Sequence, residues 1–89
     1  MKVLVIGSGG REHAMAWKLS HSKKINAIFI APGNGGTHLN PKFNNIELTD
    51  INLLSDFAIK EKIDLTIVGP ELPLSKGIVD LFRSKNLNI

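Results

Sequence analysis

The stretch that most constrains this chain is Lys2–His13, reading KVLVIGSGGREH. Val3, Leu4, Val5 and Ile6 form an unbroken apolar run, and Gly7, Ser8, Gly9 and Gly10 follow at once. A short β-branched run closed by glycines predicts a strand covered on both faces, as in parallel sheets. Glycines have no Cβ, so the backbone can turn sharply and approach a ligand closely. Arg11, Glu12 and His13 open a helix whose free N–H groups and positive dipole end point back at the turn. Strand, glycine turn and helix N-terminus together make a candidate anion site, most often for phosphate.

The rest of the chain repeats this alternation. The first helix is expected over Arg11–Ser22, with Ala14, Met15, Trp17 and Leu19 on its buried side and Trp17 in the core. A second strand is expected over Asn26–Ile30, ending in Ala31-Pro32-Gly33-Asn34-Gly35-Gly36, which can continue neither strand nor helix. Thr37–Asn45 is polar and reads as irregular, and Ile46–Leu48 reads as a short edge strand. Thr49 or Asp50 can cap a helix over Ile51–Glu61, with Leu53, Leu54, Phe57 and Ala58 on one face. A fourth strand, Asp64–Val68, leads into Gly69-Pro70-Glu71-Leu72-Pro73. The last helix starts near Pro73 and carries Leu74, Gly77, Ile78, Leu81 and Phe82 at helical spacing, with Asn86 as its stop. Strands alternating with helices predict an α/β fold, a Rossmann-like open parallel sheet with flanking helices and a central first strand. Another strand begins at Asn88-Ile89, so residues 1–89 are expected to be one truncated domain of a longer protein. An edge left bare there would favour self-association.

Composition excludes several classes. The 89 residues hold no cysteine, so disulfide frameworks and thiolate metal sites are out. No signal peptide or run of membrane-helix length is present. The net charge of +3 comes from dispersed basic residues with few aromatics, which argues against nucleic acid.

Three loops follow strand ends: Gly7–Gly10, Pro32–Gly36 and Gly69–Pro73. In a parallel sheet all three leave the same edge, where open α/β sheets bind ligands. Gly7 and Gly9 fit the first half of a dinucleotide fingerprint, but Glu12 holds the third glycine position. The second strand also ends without the acid that a nicotinamide site uses for ribose hydroxyls. What remains is a phosphate site without adenosine recognition. Arg11 sits in the first helical turn, where a bound phosphate would favour its charge. Glu12 either suits the helix dipole or faces a substrate hydroxyl or amine, and His13 alone reads as structural. Glu71, held between prolines at the crevice, is a candidate polar contact. No nucleophile elbow, Walker loop, paired catalytic carboxylates or metal spacing is present, so no catalytic or metal residues are assigned.

GSGGREHAMAWKL at 7–19, APGNGGT at 31–37 and VGPELPLSKGIVDLF at 68–82 resemble the phosphoribosylamine–glycine ligase family, over nearly the whole chain and in order. The resemblance implies the pre-ATP-grasp N-terminal domain of a cytoplasmic purine-biosynthesis enzyme, with ATP-grasp and C-terminal domains absent here. In that reaction ATP phosphorylates the glycine carboxylate, and the amine of 5-phosphoribosylamine attacks the acyl phosphate. ATP, magnesium and glycine would belong to the absent domains, none being bound by these 89 residues, which alone would be inactive. By motif match, Gly9, Gly10 and Arg11 are expected at the 5-phosphate, and Asn34, Gly35 and Glu71 on the ribose side, with Glu12 among the substrate contacts. Two alternatives stay open: a nicotinamide-dependent oxidoreductase domain and a non-catalytic phosphosugar-binding module.

Overall fold

A computed structural model describes residues 1–69, 74 and 76–89. Four strands, β1 (Lys2–Gly7), β2 (Ala27–Pro32), β3 (Phe43–Asn45) and β4 (Leu65–Val68), form one sheet in the order β3-β2-β1-β4. Every neighbouring pair is parallel, with Lys2 opposite Ala27, Val3 opposite Leu65 and Ile28 opposite Phe43. The helices are α1 (Gly10–Leu19), α2 (Gly35–Leu39), α3 (Ile51–Lys60) and α4 (Ile78–Ser84).

The apolar run of β1 is explained by its place between β2 and β4. Leu4 and Ile6 point to one face, among Leu54 and Ala58 of α3 and Ile78 and Phe82 of α4. Val3 and Val5 point to the other, with Ile28, Ile30, Phe43 and Ala16 of α1. All four β1 side chains are buried, and each such burial is worth roughly 1.5–3 kcal/mol. The sheet is therefore covered on both sides, and β1 and β4 flank the point where the strand order reverses.

Several sequence expectations need correction. The edge strand is Phe43–Asn45, not Ile46–Leu48. Phe43 is the apolar anchor on the α1 face, while Ile46 and Leu48 cross over to pack beside α3. Ile46 still donates its N–H to the Ile30 carbonyl at 2.8 Å, extending the ladder by one bond. Helix α1 stops at Leu19, where the Ser20 hydroxyl bonds the Trp17 carbonyl and competes with the helix. Trp17 is 55% exposed and stacks edge-on against His21, so it is not a core residue. Ala14 is exposed too, and the buried positions of α1 are Glu12 and Ala16. On α3, Leu54 and Ala58 are buried but Leu53 lies outside.

Asp50 rather than Thr49 caps α3, its carboxylate accepting from the Leu53 N–H at 3.0 Å. Both α3 and α4 end in the same six-residue closure. Ile63 N–H donates to the Ala58 carbonyl and Leu87 N–H to Phe82, with Lys62 and Asn86 in left-handed conformation between. Helix α4 begins at Ile78 after Gly77, whose φ is +83°. The expected start near Pro73 lies outside the described residues. Beyond α4, the Asn88 carbonyl accepts from the Thr66 N–H at 3.0 Å, so the last residues run along β4 without forming a strand. Among the described residues, no helix is long and apolar enough to cross a membrane.

Candidate functional site

The ends of β1, β2 and β4 are tied together by backbone bonds. Gly33 N–H donates to the Gly7 carbonyl at 3.0 Å, and Gly69 N–H to the Ile6 carbonyl at 3.1 Å. The loops after β1 and β2 and the first residue after β4 thus meet at the C-terminal edge of the sheet, beside the strand-order reversal.

Helix α1 starts in the β1 loop, with Gly9 extended just before it. Glu12, at its third position, folds back so that its carboxylate accepts from the Gly9 N–H at 3.0 Å. This is one half of a capping box; glycine has no side chain to supply the other. Glu12 was expected among the substrate contacts, yet it is 5% exposed and turned inward. A Cβ built on Gly7 would lie 2.2 Å from Glu12 Cγ, and one on Gly69 would lie 1.8 Å from its Oε1. Those glycines therefore make room for a carboxylate of this same chain. Arg11 is exposed; one terminal nitrogen donates to the Gly69 carbonyl at 3.0 Å, and its Nε lies 3.7 Å from Glu12 Oε1. The guanidinium spans the crevice between the ends of β1 and β4.

The β2 loop is organised by Asn34 and Thr37. The Asn34 side-chain oxygen accepts from the Thr37 N–H at 3.0 Å, and the Thr37 hydroxyl accepts from the Asn34 N–H at 2.8 Å. The Asn34 amide donates to the Ser8 carbonyl at 2.9 Å, fastening this loop to the one after β1. Both ends of the Asn34 side chain are thus engaged within the protein. Gly33 (φ +76°) passes so close to Asn45 that a Cβ would meet its amide at 2.8 Å. Gly36 rests against His13, which packs edge-on against Phe43.

Gly10 and Gly35 are different. A Cβ at either would meet nothing within 4 Å among the described residues, and neither has a positive φ. They stand at the first positions of α1 and α2, on adjoining loops of the same edge. Beside Gly35 opens a cleft of about 760 Å³, lined by Pro32, Gly33, Asn34, His38, Asn45 and Glu47. The Asn45 side-chain oxygen is buried with no hydrogen-bond partner among the described residues. Sequence reasoning missed Thr37, His38, Asn45 and Glu47. Only Thr37 carried a signal, its three-residue spacing from Asn34. A smaller hollow of about 320 Å³, near Ser20, Asn26 and Lys42, lies at the opposite end of β2. Glu71 lies outside the described residues, and among those described no group of three or more His, Asp or Glu side chains comes together as a metal cage.

A family model described as phosphoribosylglycinamide synthetase, N domain, matches residues 1–89. A phosphoribosylamine–glycine ligase of Escherichia coli K12 is 60% identical over 91 aligned positions, covering all of this chain and 21% of the relative. Ligases of the same name from Neisseria meningitidis and Ralstonia nicotianae are 57% and 56% identical over 89 residues, again 21% of each. The chain spans about a fifth of the length of the curated relatives it matches.

Proposed function

The chain belongs to the phosphoribosylglycinamide synthetase N-domain family, and from that membership we propose that it forms one wall of the 5-phosphoribosylamine site in an ATP-dependent ligase. That ligase joins glycine to phosphoribosylamine, giving glycinamide ribonucleotide in cytoplasmic purine synthesis. ATP, magnesium and glycine are assigned to the parts of the ligase outside this chain, as the family resemblance implies. The work of this domain is to bind and orient the phosphorylated sugar so that its amine faces the activated glycine.

The observation that carries this reading is the pair Gly10 and Gly35. No contact among the described residues explains the missing side chains there, and both stand at the ligand edge of the sheet. The 5-phosphate is assigned to the Gly9–Gly10 backbone and Arg11, where a helix N-terminus and a forked cation meet. The ribose is assigned to the side of Asn34, Gly35 and Glu71, along the cleft after β2. A dinucleotide reading gains nothing, because Glu12 fills the space under the loop.

The test is Arg11→Ala in the full-length ligase that bears this domain. A hydrogen bond to a charged group is worth about 1.5–3 kcal/mol, so KM for phosphoribosylamine should rise roughly 10- to 100-fold. The constants for ATP and glycine should hardly move. A variant with a normal phosphoribosylamine KM would refute the assignment.

A further inference from the structure

We propose that Glu12 is a positioning residue, acting on the ligand through Arg11 and the Gly9–Gly10 backbone without touching the ligand itself. The inference rests on the phosphoribosylamine reading above for its kinetic arm only. A carboxylate that merely caps a helix can do so from the surface. Glu12 instead is 5% exposed, in space kept clear by Gly7 and Gly69. A buried charge is tolerated only when paired and hydrogen-bonded, and here the partners are the loop elements themselves. Oε2 takes the Gly9 N–H, and Oε1 faces Arg11 Nε.

Arg11 completes a ring by donating to the Gly69 carbonyl, and Gly69 in turn donates its N–H to Ile6. The ring runs from the end of β1 through the first turn of α1 to the end of β4. The Arg11 side chain is 75% exposed, and among the described residues its polar partners are Glu12 and Gly69. Glu12, together with the Gly69 carbonyl, therefore holds a solvent-facing guanidinium beside the loop before any ligand arrives. Such preorganisation lowers the ordering cost of binding.

The test uses Glu12→Gln, which keeps the shape and an acceptor for Gly9 but removes the charge. In the full-length ligase it should raise KM for phosphoribosylamine roughly fivefold, since a neutral acceptor is about half as strong as a charged one. The constants for ATP and glycine, and kcat, should stay near wild type. In an Arg11→Ala background the same change should have a clearly smaller effect, because the route through Arg11 is gone and only the Gly9–Gly10 backbone remains. An unchanged KM in the single variant, or effects that simply multiply in the double, would overturn the proposal. A second readout needs no turnover: hydrogen exchange across residues 7–12 in the same protein should quicken in Glu12→Gln while β2 and α3 keep their protection. Were the wild-type ligase to ignore phosphoribosylamine, the functional reading would fall and this readout alone would decide Glu12. Unaltered exchange at residues 7–12 would then overturn it.

Discussion

Gly69→Ala tests the contact between β4 and Glu12 by stability alone. The added methyl would stand 1.8 Å from Oε1, 2.6 Å from Cδ and 2.8 Å from Cγ of Glu12. Three consecutive atoms are involved, so swinging the carboxylate tip aside does not clear the space. The side chain must leave, giving up a hydrogen bond to a charged group worth about 1.5–3 kcal/mol. Otherwise the strands must shift, at an overpacking cost of roughly 1–3 kcal/mol. These are alternative ways out of one clash, so they do not add, and the expected loss is about 2 kcal/mol. Gly69 does not sit at a positive φ, so alanine adds no backbone strain. For a domain of this size, that loss lowers Tm by roughly 8–16 °C.

The assay is urea unfolding of wild type, Gly69→Ala, Glu12→Ala and the double variant. With Glu12 shortened, the new methyl enters vacated space, so Gly69→Ala should cost almost nothing in that background. The coupling between the two sites should then match the single-variant loss of about 2 kcal/mol. Equal costs in both backgrounds, or an undiminished Tm in Gly69→Ala, would refute the packing argument.

Three further outcomes follow from the fold. Lys62 holds a left-handed conformation (φ +59°) after α3, so Lys62→Gly should stabilise by about 0.5–1 kcal/mol in urea unfolding. The Thr66 hydroxyl is buried with no partner among the described residues, so Thr66→Val should raise stability by about 1 kcal/mol, read the same way. Trp17 is more than half exposed, so its fluorescence should be freely quenched by acrylamide in the folded state, and Trp17→Ala should cost less than about 1 kcal/mol. A protected, blue-shifted emission would contradict that placement.

The parallel sheet, α1, α3 and α4 were legible because each rests on a local pattern, whereas α2 (Gly35–Leu39) was not, its glycine-rich start reading as loop. A short β-branched apolar run ending in glycines points to a covered strand, and β1 is one. What misled was treating apolar residues as if they announced their own burial. Ile46–Leu48 looked more like a strand than Phe43–Asn45, yet a parallel edge strand needs one anchor and backbone bonds, and Phe43 with two asparagines suffices. Trp17 looked like core because it is large. At the C-terminal end of α1 the helix turns that position to solvent, while the small Ala16 takes the contact with β1. Glu12 misled in the opposite sense, since a charged residue in a helical first turn normally faces water. Its burial depends on Gly69, fifty-seven residues away, and no local pattern reports such a pairing.

The same comparison changes what the glycines mean. Read along the chain, a glycine-rich loop suggests a phosphate, and each glycine appears to add weight. In three dimensions Gly7 and Gly69 accommodate Glu12, Gly33 accommodates Asn45, and Gly36 accommodates His13. These would be required with no ligand at all, so they say nothing about one. Gly9 belongs partly with them, since a Cβ there would lie 2.9 Å from Glu12 Oε2. The weight of the functional reading therefore moves from the glycine count to Gly10 and Gly35, whose missing side chains face solvent. It moves also to Arg11, a cation at a helix N-terminus, where the dipole alone disfavours it by about 0.3–1 kcal/mol. Glu12 and the Gly69 carbonyl offset that penalty within the chain, and a phosphate arriving over Gly10 would meet a guanidinium already held at the edge of the crevice.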